Sequence, residues 1–93
     1  MVRNRLLDPN STKRLITGRM NTGPGIKYAY GFEDARDAGG NGWVGHSGGA
    51  PGTNGDLRIY PGSGYVVAVL ANIDPPAAQR ISEYLDPRLP TQP

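Results

Sequence analysis

The stretch Asp56-Leu57-Arg58-Ile59-Tyr60-Pro61-Gly62-Ser63-Gly64-Tyr65-Val66-Val67-Ala68-Val69-Leu70-Ala71 decides how this chain folds. Leu57 and Ile59 alternate with Asp56, Arg58 and Tyr60, the period that sends successive side chains to opposite faces of a half-buried strand. Asp56 and Arg58 are expected on its solvated face. Pro61-Gly62-Ser63-Gly64 then makes a turn, with proline presetting φ. Tyr65 to Ala71 is an unbroken apolar run, the pattern of a core strand covered on both faces.

Moving outward, Ala50-Pro51-Gly52-Thr53 is a turn that joins this hairpin to Gly42-Trp43-Val44-Gly45-His46-Ser47-Gly48-Gly49, read as a strand despite its glycines. Asp34 to Asn41 is a polar, glycine-rich loop. Before it, Tyr28, Tyr30 and Phe32 alternate with small residues after the Gly23-Pro24-Gly25 break. Asp8 is placed to cap a helix over Pro9 to Thr17, which Gly18 stops. On the far side, Asp74 is placed to cap a helix whose first residue is Pro75, with Ala78, Ile81 and Leu85 on one face. A proline-rich tail from Pro87 is expected to fray. The predicted fold is one α+β domain over residues 1–93. Three to four antiparallel strands, near Ile26–Phe32, Trp43–Gly49, Gly55–Tyr60 and Tyr65–Asn72, are flanked by a short N-terminal helix and a C-terminal helix.

Composition narrows the function. The chain has 93 residues, so its core is thin. Ten basic and eight acidic residues, interspersed, give a net charge of +2 and no support for nucleic-acid binding. No apolar run approaches the roughly 20 residues of a membrane span, and Met1 to Leu7 lacks the apolar centre of a secretory signal. With no cysteine and one histidine, neither a disulfide framework nor a zinc cluster is expected, and no cofactor.

The chemistry rests on Gly45-His46-Ser47-Gly48-Gly49. It satisfies G-x-S-x-G, the pattern of a nucleophile elbow, but an elbow needs a helix directly after the serine, and Ala50-Pro51-Gly52-Thr53-Asn54-Gly55 cannot start one. The triad order also needs a histidine after the serine, and His46 is the sole histidine. Strand alternation puts His46 and Gly48 on one face and Ser47 on the other, so His46 is not a base for Ser47. The run is similar as well to the Asp-Ser-Gly-Gly-Pro stretch of trypsin-like proteases, whose double barrels need about twice this length. Ser47 therefore reads as a strand residue before a nucleophile, and Trp43, Tyr28 and Tyr30 read as core.

Taken in order, Tyr28-Ala29-Tyr30-Gly31-Phe32, the glycine-rich loop, Gly42 to Gly52, Asn54 to Pro61 and the valine-rich strand ending Ala71-Asn72 resemble the C-terminal part of serine hydrolases of the β-lactamase-like superfamily. The class C β-lactamases and penicillin-binding-protein-like esterases are the members meant. The resemblance runs from about Leu6 to Pro90. It implies that His46-Ser47-Gly48 corresponds to the family's third motif, Lys-Thr-Gly or His-x-Gly. His46 would then bond substrate or a proton-relay hydroxyl, Gly48 would clear the strand edge, and Gly49 would lend its N–H to an oxyanion hole. The candidate site is thus His46 and Ser47 with Gly48 and Gly49.

The family's nucleophile motif Ser-x-x-Lys is absent: Ser11, Ser47, Ser63 and Ser82 are followed three residues on by Arg14, Ala50, Val66 and Leu85. Its second motif, Tyr-x-Asn, is absent too. The expectation is the C-terminal portion of a serine hydrolase, inactive or weakly esterolytic alone, whose substrate class is a small ester or amide. Its partner is a second copy or the missing N-terminal part of the hydrolase, because truncation would leave apolar faces and strand edges open. Two alternatives stand beside it: a non-catalytic, self-associating domain, and a minimal esterase that uses Ser47.

Overall fold

A computed structural model describes residues 5–90. The reading of residues 1–4 as part of a non-signal N-terminus lies outside them, as do residues 91–93 of the tail expected to fray from Pro87, whose first two residues are instead ordered in a 3-10 turn. The fold is α+β: a helix α1 (Pro9–Ile16), strands β1 (Met20–Gly23), β2 (Ile26–Tyr28), β3 (Glu33–Asp34), β4 (Val44–Ala50), β5 (Thr53–Ile59) and β6 (Val66–Ala71), and a helix α2 (Ala77–Leu85) ending in a 3-10 turn, Asp86–Arg88. The six strands form one antiparallel sheet in the order of the sequence. No described helix is long and apolar enough to cross a membrane.

The strand count exceeds the three to four expected, and the excess lies in one region. The stretch predicted as a single strand, Ile26–Phe32, is strand only to Tyr28. It pairs back to Met20–Gly23 on one side and to the two-residue Glu33–Asp34 on the other. Neither neighbour carries the alternation by which a strand is recognised. Both are held by local ties: the Arg19 N–H donates to the Tyr28 carbonyl (2.8 Å) and the Ala29 N–H to the Phe32 carbonyl (2.7 Å).

α1 forms as its sequence predicts. The Asp8 carboxylate accepts the Ser11 N–H at 2.7 Å, and Pro9 occupies the first turn, where its missing N–H costs nothing. That bond, with the Ser11 hydroxyl, holds the Asp8 carboxyl below its ordinary value. α1 is tied to the sheet region by polar contacts at its C-terminal end. The Leu15 carbonyl accepts from the Tyr30 N–H, and the Ile16 carbonyl accepts from Arg36. Arg36 also forks onto Asp34 (2.9 and 3.1 Å), which in turn accepts the Gly18 N–H. Burial pushes the Asp34 carboxyl up, but these hydrogen bonds outweigh it and hold it below its ordinary value.

β4, β5 and β6 are in continuous register, which sorts their side chains into two faces. Val44, His46, Gly48, Gly55, Leu57, Ile59, Val66, Ala68 and Leu70 share one; Gly45, Ser47, Gly49, Asn54, Asp56, Arg58, Val67, Val69 and Ala71 share the other. α2 packs on β5 and β6 at the second face, where the Ala78 N–H donates to the Asn54 side chain (2.7 Å). The burial is the reverse of the expectation. Asp56 and Arg58 are buried, at 6% and 7% exposure, and form an ion pair (3.0 Å), with the Arg58 guanidinium 4.4 Å from the centre of the Trp43 ring. Leu57 lies on the other face and is exposed. β6 is likewise no doubly covered core strand: it is an edge, with Val66, Ala68 and Leu70 exposed and Val67, Val69 and Ala71 half-buried.

The cap of α2 also differs from the sequence reading. Asp74 does not cap it; its carboxylate accepts the Gly52 N–H (2.6 Å). The helix begins at Ala77, and the orphan N–H of its second residue, Ala78, is satisfied by Asn54 from β5, whose amide also donates to the Gly48 carbonyl (2.8 Å). The inward positions are Ala78 and Ser82, with Leu85 half-buried, while Ile81, expected inward, is exposed. Tyr60 closes the far end. Its hydroxyl donates to Asp86 at 2.5 Å, and burial together with that carboxylate pushes it up to about 12.

Candidate functional site

Among the described residues, β4 is an interior strand with one edge left half open. β3 contributes two residues, paired to Val44 and Gly45, so from His46 to Ala50 the β3-side edge of β4 has no partner strand among the described residues. The local sequence produces this opening. The chain enters β3 at Glu33 straight from the tight turn out of β2, in which the Ala29 N–H donates to the Phe32 carbonyl, so β3 does not extend alongside His46. Gly45 permits close approach of β5, since an added Cβ there would drive into the Leu57 carbonyl oxygen.

His46 stands at the start of the open edge and is solvent-exposed. Its Nδ1 lies 2.5 Å from the Ser47 carbonyl oxygen, and its Nε2 lies 3.2 Å from the Tyr28 hydroxyl. A carbonyl oxygen only accepts, so Nδ1 carries a proton; in the neutral imidazole Nε2 then carries the lone pair and the Tyr28 hydroxyl donates to it. The two rings meet edge to face, with centres 5.8 Å apart and planes at 85°. The imidazole is thus fixed in one tautomer and one orientation. The Tyr28 oxygen keeps its lone pairs for a ligand, and a proton leaving it has Nε2 as its acceptor. Sequence reading set Tyr28 aside as core. Tyr30, paired with it in that reading, is exposed, with the Arg19 guanidinium 5.0 Å from its ring centre.

Ser47 faces the other way. It is half-buried opposite Asp56 on the α2 face, and its contact with His46 is through the backbone carbonyl alone. β4 runs on to Ala50 and turns into β5, so no helix follows Ser47. Gly48 lies on the His46 face opposite Gly55, with open space where a Cβ would stand. Gly49 is exposed, but a Cβ there would come within 2.5 Å of the Pro75 ring. Of the four sequence-predicted residues, His46 and Gly48 share the exposed face, and Ser47 and Gly49 share the α2 face.

A cleft of about 580 Å³ lies elsewhere, between α1, the β1–β2 hairpin and the 37–40 segment, and contains none of these four residues. It is lined by Lys13, Lys27 and the Asp34–Arg36 pair, whose charges are already matched, and it has no nucleophile–base pairing. The open β4 edge is therefore the stronger candidate. Among the described residues no three His, Cys, Asp or Glu side chains gather to hold a metal ion. The chain matches no protein-family model, no curated protein and no solved structure.

Proposed function

We propose that this chain supplies one wall of a serine-hydrolase active site: the strand that orients an ester or amide substrate and polarises its carbonyl, without the nucleophile. The observation that carries this reading is the exposed His46 imidazole, locked by Tyr28 at the head of an unpaired strand edge whose next residue on that face, Gly48, has no side chain. An extended substrate can lie along such an edge. The Tyr28 oxygen then meets its reacting end as an acceptor, with the His46 Nε2 behind it to take a proton. In the family that the sequence resembles, the N–H of the residue in the position of Gly49 stabilises the developing oxyanion. The nucleophile belongs to a Ser-x-x-Lys segment that this sequence lacks, and the part carrying it is the partner on this reading.

An unassisted serine is a weak nucleophile, and Ser47 faces away from the one histidine. Binding and oxyanion effects alone leave roughly 10³–10⁴-fold acceleration over water in hydrolases stripped of their triads. The purified chain is therefore expected to leave a chromogenic cephalosporin intact and to hydrolyse a p-nitrophenyl ester slowly, without a burst. That residual rate should fall in His46→Ala and Tyr28→Phe and persist in Ser47→Ala. Robust turnover lost in Ser47→Ala, with a covalent adduct at Ser47 by mass spectrometry, would overturn this reading in favour of a minimal esterase. The second reading, a non-catalytic self-associating domain, is favoured by the exposed Leu57, Val66 and Leu70. It prevails if the wild-type chain hydrolyses the ester no faster than buffer alone.

A further inference from the structure

The accessible surface is 6322 Å² for a 9.9 kDa chain, whereas a compact monomer of this mass exposes about 5,200 Å². The excess, about 1,100 Å², is comparable to the roughly 800 Å² that each partner buries in a standard interface. Part of it is the apolar row on β6, while Met20, Ile73, Ile81 and Tyr84 are exposed elsewhere. Leu70 is 91% exposed and Val66 60%, with Ala68 between them and Leu57 alongside.

The two edges of the sheet differ in kind. The β1 edge is Met20-Asn21-Thr22-Gly23, polar, interrupted by a register shift and ended by glycine. The β6 edge is Val66-Val67-Ala68-Val69-Leu70-Ala71, regular in register throughout, with no charge, no proline and no bulge. Charge, proline and bulges are the devices by which proteins commonly guard an edge. Because one edge is open and the other blunted, head-to-tail addition of copies is disfavoured and the edge is left to pair with itself.

We infer that β6 is a dimer edge, pairing antiparallel with β6 of a second copy about a two-fold axis at Ala68 to make one twelve-stranded sheet. In that register Val66 lies opposite Leu70 of the partner subunit, Ala68 opposite itself, and Val67 opposite the partner's Val69. Every cross-strand pair is apolar. A six-residue pair satisfies about six outward backbone groups with hydrogen bonds. The absence of charge on β4, β5 and β6 at the face carrying Leu57, Val66 and Leu70 leaves nothing to repel the second copy. The pairing is independent of whether the His46 edge takes an ester.

The test is sedimentation velocity on the full chain from about 1 µM to about 1 mM, a range that spans dissociation constants of weak and moderate dimers. A species of twice the monomer mass, growing with concentration and stopping at two copies, is expected. Ala68→Lys sets two ammonium groups face to face across the axis and should raise the dissociation constant at least about tenfold. Thr22→Lys on the β1 edge should leave it unchanged. If Ala68→Lys fails to fold, Leu70→Lys replaces it, since that side chain is almost wholly in solvent. Hydrogen exchange gives a second reading, in which alternate β6 amides gain protection as concentration rises. A wild-type chain that stays monomeric across the range, assemblies larger than two, or a dimer untouched by Ala68→Lys and Leu70→Lys would each overturn the inference.

Discussion

Replacing Asp56 by alanine tests the feature on which the sheet's orientation depends. Asp56 and Arg58 are buried at 6% and 7% exposure and bonded at 3.0 Å, beneath α2. Removing one member of such a pair leaves the other charge desolvated without a counterion, a loss of about 3–5 kcal/mol. The Trp43 ring, 4.4 Å from the guanidinium carbon, remains and offsets part of this, by roughly 0.5–2 kcal/mol. The net expected loss is about 3 kcal/mol, a large fraction of the 5–15 kcal/mol typical of a domain. Urea unfolding followed by Trp43 emission reads it directly, since Trp43 is the sole tryptophan. With a slope of about 1–3 kcal/mol per molar urea, the midpoint should fall by about 1–3 M. The double variant Asp56→Leu with Arg58→Met should recover to near wild type, because apolar residues of similar volume replace a buried pair at little cost. Leu57→Ser, at an exposed position, should cost less than about 1 kcal/mol. If Asp56→Ala costs under about 1 kcal/mol, or Leu57→Ser costs more than Asp56→Ala, the assignment of the two faces is refuted.

Two further outcomes are expected. Gly45→Ala forces a Cβ into the Leu57 carbonyl and the Arg58 Cα, backbone atoms that cannot step aside. A loss of about 1–3 kcal/mol is expected, seen as a Tm at least about 4 °C lower, whereas Gly48→Ala, with open space around it, should stay within about 0.5 kcal/mol. Tyr60 has its folded-state pKa raised from 10.0 to about 12 by burial and Asp86, so its contribution to stability is complete below pH 10 and is lost as pH rises through about 12. Asp34, depressed below 3.8, acts with the opposite sign: its contribution is present above 3.8 and is lost as pH falls through its lower folded value. Urea midpoints measured across the alkaline range should therefore decline in the wild type and flatten in Tyr60→Phe.

The sequence by itself determined the elements whose signals are local. α1 follows from Asp8 and Pro9, the β5–β6 hairpin from its alternation and Pro61-Gly62-Ser63-Gly64 turn, and the opposite facing of His46 and Ser47 from their adjacency on a strand. These depend on covalent spacing and backbone stereochemistry, which every copy of the chain carries before it folds. The tertiary structure decided the rest. Which face of β5 is inside depends on where α2 lands, and α2 lands where Asn54 can cap it, a bond between residues 24 positions apart. Once it does, Asp56 and Arg58 are enclosed and find each other, while Leu57 is turned outward. Short strands such as Glu33–Asp34 exist only because neighbours pair with them. Tyr28, read as core, became the partner of His46 because the brevity of β3 leaves the β4 edge open beside it. Alternation states that a strand has two faces; only the packing of a distant helix chooses which of them meets water.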